Sequence, residues 1–423
     1  MKKYAADLHI HSLHSIGVSK NMTIPNLAKG AISKGISLIG TGDATQPDWL
    51  KHIESTLERK DGLLSCNGIH FIPSVEFEDK DSIHHVILLP DFEAVHKLRS
   101  LIAADSPNLN HEWGGRPRVN LQAEAIAGHV RDVGGMIGPA HAFTPFKAIF
   151  REGKYDSIKD CYGSEADHIH FLELGLSADT EIADFIPELR RLTYITSSDA
   201  HSPSPDKLGR EFVVLEMTSP SFDEVRKALM REGGRSSSLN LGLNPMLGKY
   251  YLSFCSKCRR TVVIQEGSKS PSFDSLNIYI SCKDDAEHAK LLADISKRAV
   301  KCPSDGKPLR LGVRDRAAML GEVRSKSPKH RPPYLHIPPL LDIIQTALGT
   351  KSNKVQSVKR LYKEMIGTLG TEVEIYTSAK TDKIYQINER LGEFIDSYRK
   401  GKVRYVPGGG GRYGTIVSPW EAE

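Results

Sequence analysis

The five residues Asp7-Leu8-His9-Ile10-His11, inside MKKYAADLHIHSLHSIG, decide how this chain is read. Alternate side chains of an extended segment point the same way, so Leu8 and Ile10 face a core while Asp7, His9 and His11 converge on the opposite side. A packed strand would carry apolar groups there. An acid and two imidazoles in that position make either a metal site or an exposed edge.

Working outward, the first 243 residues repeat one pattern: a short apolar run, a polar end, then an amphipathic helix. The strand candidates are ISLIGTGD, GIHFIPSVEF, HHVILLP, GGMIGPAHA, HIHFLELG, LTYITSSDAH and REFVVLEM. Helices are expected at IPNLAKGAISKG, FEAVHKLRSLIAA, LQAEAIAGHVRDVG and DTEIADFIPELRR. Regular β-α alternation predicts an α/β fold, either a parallel sheet or a distorted β/α barrel. Such folds place their chemistry at the C-terminal ends of the strands. Asp43, Glu76, His141, Asp199 and His201 all lie at or just past such an end.

Composition suits a soluble globular protein of two or three domains: 423 residues, 39% hydrophobic and 26% charged. No run approaches the roughly 18 apolar residues of a membrane span, and the N-terminus lacks a secretory apolar stretch. A cytoplasmic, monomeric protein with no membrane partner is expected. SSSLNLGLNP reads as a linker ending a first domain at residue 243. Before that cut the chain carries 26 Lys and Arg against 33 Asp and Glu; after it, 31 against 19. The basic second part is what gripping a polyanion requires, because neutralised phosphates release counterions.

Residues 244–315 hold Cys255, Cys258, Cys282 and Cys302 among short β-like segments and form a small zinc-ribbon-like module. Cys255-Ser-Lys-Cys258 is one knuckle, and KCPSDGKPL supplies a second with Asp305 in the last ligand position. Cys255, Cys258, Cys302 and Asp305 make a closed tetrahedral site for one structural Zn, with Cys282 as the rival fourth ligand. A module with so few apolar residues needs such a staple. Residues 316–423 follow with a Pro- and Lys-rich stretch, RSKSPKHRPPYLHIPP, then helices and a glycine-rich tail, YVPGGGGRYG, read as flexible. A basic helical DNA-binding domain is expected over 316–423, with a plain helical bundle as the alternative.

The collected ligand candidates mix His and carboxylate: His9, His11, Asp43, Glu76, His84 or His85, His141, Asp199 and His201. Such a set suits Zn, Mn, Mg or Fe, and a carboxylate such as Glu76 can bridge two ions. Two or three ions side by side activate water and hold phosphate oxygens, which is phosphoester hydrolysis.

At these residues the chain resembles the PHP (polymerase and histidinol phosphatase) superfamily, through DLHIHS, the acid of TGD, the Glu of VEF, the His of PAHAF and the pair in SDAH. The resemblance implies a distorted β/α barrel with a multinuclear centre. By motif, His9, His11, Glu76 and Asp199 hold one ion and Glu76, His84 and His141 a second. Asp43 and His201 belong with Asp199 to catalysis or to a third ion. The usual T-D-H triplet reads Gly42-Asp43-Ala44, so one His ligand is missing at position 44. His84 is preferred to His85 because Val86 and Leu88 should share its face. Asp7 is expected behind His9 or a neighbouring group, as an acceptor that fixes orientation.

GTGDATQP, HHVILLP, IGPAHAFTPF, FLELGLSADTEIADF and SSDAHSPSPDKLGRE, with the cysteine module and PGGGGRYG, resemble the endonuclease Q family along essentially the whole chain. That resemblance implies a DNA repair endonuclease nicking 5′ to deaminated bases (uracil, hypoxanthine, xanthine) and abasic sites, leaving 3′-hydroxyl and 5′-phosphate ends. Inspecting a base requires flipping it into a pocket with apolar or aromatic faces. Trp113, Arg116 and Phe143 are the candidates near the metal face, with Phe146, Tyr155 and Tyr162 in the same connections. Lys257, Arg259, Arg260 and Arg412 are the phosphate-contact candidates. DNA, double- or single-stranded, is the expected partner. A sliding clamp is carried only as a candidate partner, since no segment reads as a clamp peptide. The rival readings are a phosphatase of small phosphomonoesters and a non-catalytic zinc-ribbon DNA-binding protein.

Overall fold

The structure, a computed structural model, describes residues 1–321 and 326–417. Its largest sheet has eight strands, in the order Tyr334–His336, Ser236–Gly242, Phe212–Met217, Lys2–Asp7, Leu38–Gly40, Ile69–Ile72, Leu63–Cys66 and Glu58–Lys60. Lys2–Asp7 runs parallel to Leu38–Gly40 but antiparallel to Phe212–Met217, so this sheet is mixed rather than parallel. A three-stranded antiparallel sheet joins Ser74–Glu78, His84–Leu88 and Met136–Pro139. A parallel pair joins Phe171–Glu173 to Thr193–Ile195.

One buried cluster draws side chains from all three sheets: Ala6, Leu8, Leu38, Ile72, Val86, Leu88, Phe171, Ile195 and Val213. The strands therefore surround a common interior, with hydrogen bonding interrupted where one sheet gives way to the next. Pro73 makes one of those interruptions. Lacking an N–H, it splits the expected strand GIHFIPSVEF into Ile69–Ile72, which pairs with Leu38–Gly40, and Ser74–Glu78, which pairs with His84–Leu88. That split carries Glu76 across to the second sheet.

Helices Ile24–Lys34, Phe92–Ile102 and Ala123–Asp132 lie where the apolar spacing places them, and each buries one stripe, such as Ile24, Leu27, Ala28 and Ala31. The expected helix over 179–191 is instead two short pieces, Thr180–Asp184 and a 3₁₀ turn Pro187–Arg191, because Pro187 can start a turn but cannot continue a helix. Pro47–Thr56 and Phe222–Met230 are additional helices, started by Gln46 and Ser221 side chains that accept from Trp49 and Glu224 N–H groups.

The segment read as a linker is a strand. Ser236–Gly242 pairs antiparallel with Phe212–Met217 and parallel with Tyr334–His336, so residues from beyond the cysteine module complete the first sheet. Its serines and Asn240 look like linker residues, yet buried Asn240 donates to the Tyr194 carbonyl at 3.3 Å and sits 3.2 Å from Thr196 Oγ1.

The cysteine module is a five-stranded sheet centred on Thr261–Glu266 and Asn277–Cys282, covered by helix Asp285–Ser296. Helices Leu340–Ala347, Gln356–Leu369, Glu372–Thr377, Thr381–Ile387 and Glu389–Arg399 form the third region. It docks on the first through a fully buried ion pair: Lys34 Nζ reaches Glu372 at 2.7 Å and donates to the Pro205 carbonyl at 2.8 Å. The glycine tail is packed rather than loose. Gly408, Gly409 and Gly410 are buried, and a Cβ on Gly410 would lie 1.8 Å from the Arg259 carbonyl oxygen. The start of the Pro- and Lys-rich stretch and the last residues of the tail lie outside the described residues.

Candidate metal centre

Leaving the Lys2–Asp7 strand, the chain keeps its extended course through residue 11. His11 N–H donates to the Ala200 carbonyl at 3.1 Å and Asp199 N–H to the His9 carbonyl at 2.9 Å, which draws the DLHIH and SSDAH segments side by side. His9, His11 and Asp199 offer ligand atoms within 4.8 Å of one another, and Glu76, His84 and His141 form a second such group. Glu76 joins the two. Its Oε1 lies 2.9 Å from His84 Nδ1, 3.0 Å from His141 Nε2 and 3.6 Å from His9 Nε2, while its Oε2 lies 3.4 Å from His11 Nε2.

Carboxylates behind the imidazoles set which nitrogen faces inward. His9 Nδ1 donates to Glu173 at 2.9 Å, and His11 Nδ1 donates to Asp43 at 3.0 Å. Both rings therefore present an Nε2 lone pair to the centre. Asp43 is saturated by Ser12 N–H, Ser12 Oγ and Ser15 Oγ in addition to His11, at 2.7 to 3.0 Å. It is fully buried and orients His11 rather than reaching the opening of the site. Glu173, which the sequence reading passed over, also accepts the His141 backbone N–H at 2.8 Å and so braces both groups. The only signal for it was an acid ending an apolar run, the same signal that marked Glu76.

Asp7 does not touch His9. It accepts from Ser198 N–H, Ser198 Oγ and Gly209 N–H at 2.6 to 2.9 Å, holding the loop that presents Asp199. Burial raises its carboxyl to about 6 despite those bonds. Asp43, His141 and Asp199 all adopt positive φ (47°, 30° and 47°). Asp and His tolerate this region better than bulkier residues, and such strain concentrates at functional sites.

The electrostatics fit a cation. Burial lowers the His11 pKa, but the charge of Asp43 and the hydrogen bonds to Asp43 and Asp199 together raise the ring to about 10; Glu173 and Glu76 likewise raise His9 against its burial. Glu76 and Asp199 stay ionised against their own burial, Glu76 through Arg116 and His84, Asp199 through His11 and His9. Buried His9 Nε2 and Asp199 Oδ1 have no hydrogen-bond partner. Asp199 Oδ1 sits 3.1 Å from His11 Nε2, so the two atoms share the ring's second proton when it is present, and both become acceptors when an ion takes that proton's place. Apart from Arg116, the groups facing the centre are imidazoles and carboxylates, a donor set that suits a metal ion.

His84 faces this centre, on the side of Val86 and Leu88, whereas His85 turns away to Tyr162 Oη at 2.7 Å and Asp79 at 3.2 Å. His84 Nε2 is backed by Glu78 at 3.2 Å. His201 stands at the rim, 39% exposed, its ring centroid 5.0 Å from that of His11. Ala44 is buried and offers no ligand atom.

The other predicted residues divide. Arg116 enters the cluster, with Nε on Glu76 and Nη2 2.9 Å from His11 Nε2. Trp113 is 42% exposed on the same loop. Phe143 is buried and stacks on Phe150 at 5.3 Å, in the wall of a cavity shared with Phe146 and Phe254 rather than at the metal opening. Lys257 and Arg259 are exposed on the knuckle. Arg260 and Arg412 are engaged within the protein: Arg260 donates to the Asp274 carbonyl at 2.6 Å, and Arg412 to the Leu276 carbonyl at 2.8 Å and Thr261 Oγ1 at 3.2 Å. Carbonyls within the module thus take some of the donors that would otherwise suit phosphate.

In the cysteine module, Cys255, Cys258, Cys302 and Asp305 bring their ligand atoms within 4.8 Å, with Cys255 Sγ 3.4 Å from Asp305 and Cys258 Sγ 3.8 Å from Cys302 Sγ. Cys282 is buried at the end of its strand, outside this group.

Comparison with known proteins adds three relatives. A family described as the MJ0043 C-terminal domain matches residues 339–402. The uncharacterized protein MJ0043 of Methanocaldococcus jannaschii is 36% identical over 304 residues, 70% of this chain; the chain spans about a third (33%) of that relative's length. The crystal structure of the lesion-specific endonuclease PfuEndoQ from Pyrococcus furiosus is 39% identical with a TM-score of 0.85, covering 99% of this chain and 96% of that one. A structure of endonuclease Q with a 27-mer duplex substrate carrying an abasic lesion at the active site is 38% identical with a TM-score of 0.84, covering 99% and 98%.

Proposed function

This chain belongs to the endonuclease Q family, and from that premise we propose that it is a metal-dependent, lesion-specific DNA endonuclease. It nicks the phosphodiester 5′ to deaminated bases (uracil, hypoxanthine, xanthine) and abasic sites, leaving 3′-hydroxyl and 5′-phosphate ends. The observation that carries the metal reading is the pair of ligand groups sharing Glu76, with buried His9 Nε2 and Asp199 Oδ1 lacking partners. His9, His11, Glu76 and Asp199 would hold one divalent ion and Glu76, His84 and His141 a second. Ions bound there would supply Lewis-acid charge to polarise water and the scissile phosphate.

The residues of the chain do the rest. Glu173 and Asp43 hold His9 and His11 in the ligating tautomer, Asp7 steadies the Asp199 loop, and His201 at the rim is placed to exchange a proton with the reacting groups. A cavity of about 350 Å³ lies between the catalytic region and the cysteine module, lined by Phe146, Tyr250, Phe254 and Arg259. Thr144 and Phe146 line both this cavity and the metal opening, so a nucleotide turned out of the duplex has an aromatic place beside the scissile bond. The proposed division is catalytic residues 1–243, a zinc-stapled module at 244–315 and a basic DNA-binding region at 316–423. We assign the protein to a soluble monomer in the cytoplasm; no helix among the described residues is long and apolar enough to cross a membrane.

The test is incubation of the full chain and Mn²⁺ with a labelled duplex bearing one deoxyuridine, deoxyinosine or abasic site. A single nick 5′ to the lesion is expected. Phosphate release from small esters without nicking refutes the reading in favour of a phosphatase, and binding without cutting refutes catalysis.

A further inference from the structure

The guanidinium of Arg116 lies among ligand atoms, on Glu76 Oε2 and 2.9 Å from His11 Nε2. In the neutral form of His11 the Nδ1–H donates to Asp43, and the single lone pair left on Nε2 can accept an Arg116 N–H or bind an ion but not both. Glu76 Oε1 faces His84 and His141, which leaves Oε2 as the oxygen contested between Arg116 and an ion near His11.

The loop behind Arg116 is built to deliver it. A Cβ on Gly115 would lie 2.4 Å from Asp43 Oδ2 and 2.5 Å from Ser15 Oγ, so only glycine lets the backbone come this close to the residue orienting His11. Gly115 N–H donates to the His14 carbonyl, Asn108 Nδ2 to the Arg116 carbonyl and Glu78 N–H to the Pro117 carbonyl, at 2.9 to 3.1 Å. With the main chain pinned on both sides, the side chain is the part free to move. It is 31% exposed and lines the cavity shared with Asp199, His201 and Lys147. A guanidinium has five donors, and Glu76 with His11 engages only the Nε and Nη2 groups, leaving donors for an anion in that cavity.

Resting on the metal reading above, we propose that Arg116 is a placeholder cation. It covers His11 Nε2 and Glu76 Oε2 until a divalent ion binds, then turns its donors to a non-bridging phosphate oxygen of the substrate strand. The centre thereby keeps its buried acids compensated when no ion is bound, and the departing guanidinium becomes a substrate clamp. No bond is made or broken in this exchange.

The experiment is calorimetric titration of Mn²⁺ into the full chain with the cysteine module zinc-loaded, comparing wild type, Arg116→Ala and Arg116→Gln, alongside nicking at saturating Mn²⁺. Both variants should bind Mn²⁺ tenfold or more tightly than wild type, because no guanidinium must be displaced, and both should lose a hundredfold or more in kcat. Tighter metal with unchanged kcat overturns the clamp. Equal or weaker metal affinity in both variants overturns the placeholder while leaving the metal reading standing. Wild-type uptake that His11→Ala does not diminish overturns the metal reading itself, and this proposal with it. Arg116→Gln keeps the measurement valid if truncation to Ala disturbs the loop.

Discussion

Glu173→Gln changes one oxygen to a nitrogen at the point where both ligand groups are braced. Glu173 Oε2 accepts from His9 Nδ1 at 2.9 Å and from the His141 backbone N–H at 2.8 Å, with Oε1 3.1 Å from His9 Nδ1. A glutamine oxygen at the Oε2 position still accepts from His141 N–H, but the amide then places its NH₂ at the Oε1 position, 3.1 Å from His9 Nδ1, and the charge that held the ring is gone. His9 relieves that by moving its proton to Nε2, where it faces the metal position. Hydrogen bonds to a charged group contribute about 1.5–3 kcal/mol, and losing the partner of a metal-ligating His costs roughly 10–100-fold in metal affinity. The two figures agree, since each factor of ten is about 1.4 kcal/mol. The size and shape of the side chain are kept, so the loss falls on the metal and not on the core. Calorimetry should show Mn²⁺ Kd raised roughly 10–100-fold. Nicking against Mn²⁺ concentration should shift by the same factor and approach the wild-type plateau. A Kd within twofold of wild type refutes Glu173 as the residue holding His9 in its ligating form.

Three further outcomes follow from named contacts. Asp199→Asn removes the carboxylate of the His9 and His11 group and should abolish lesion nicking while leaving DNA binding, measured by fluorescence anisotropy, nearly intact; retained cleavage sinks the assigned ligand set. Glu211 is fully buried, and burial raises its carboxyl to about 8. Between its ordinary value and about 8 the folded state binds the extra proton, so stability falls as pH rises through that window. Glu211→Gln keeps the bond from Leu243 N–H and should flatten that fall by several kcal/mol at about 1.4 per unit, seen as urea midpoints converging at pH 5 and separating at pH 9. Lys34→Met leaves buried Glu372 without its cation and should cost ~3–5 kcal/mol, with proteolysis opening the helical region first. Unchanged urea and protease profiles would show that the pair does not hold the two regions together.

Much of the site was legible because strand geometry has a period of two. His9 and His11 had to share a face, and the parity of Val86 and Leu88 chose His84 over His85. The knuckles were legible because closely spaced cysteines stand out in a sequence, and Cys255, Cys258, Cys302 and Asp305 do bring their ligand atoms together. Other features gave no local signal. Glu173 acts on His9 from 164 residues away, and nothing in FLELG distinguishes a bracing carboxylate from a surface one. Ser236–Gly242 looks like a linker because its backbone is paired by Phe212–Met217 and by Tyr334–His336, nearly a hundred residues on, and its buried Asn240 by Tyr194 and Thr196, none of them local. Arg260 and Arg412 have the chemistry of phosphate ligands, and only the folded module shows some of their donors engaged by its own carbonyls.

What the sequence by itself determined is the inventory and its local direction: an alternating pentad, acids and imidazoles at strand ends, two knuckles and a basic second half. These follow from covalent geometry and residue chemistry, which act over a few positions. The tertiary structure alone decided which of these groups meet. Glu76 joins two ligand groups because Pro73 passes its strand to another sheet, and Asp43 orients His11 because Ser12 and Ser15 hold its Oδ2 and leave Oδ1 to the ring. Arg116 stands among the ligands because Gly115 lets its loop touch Asp43. Contacts of that kind depend on distances between residues far apart in the chain, and only the packed core sets those distances.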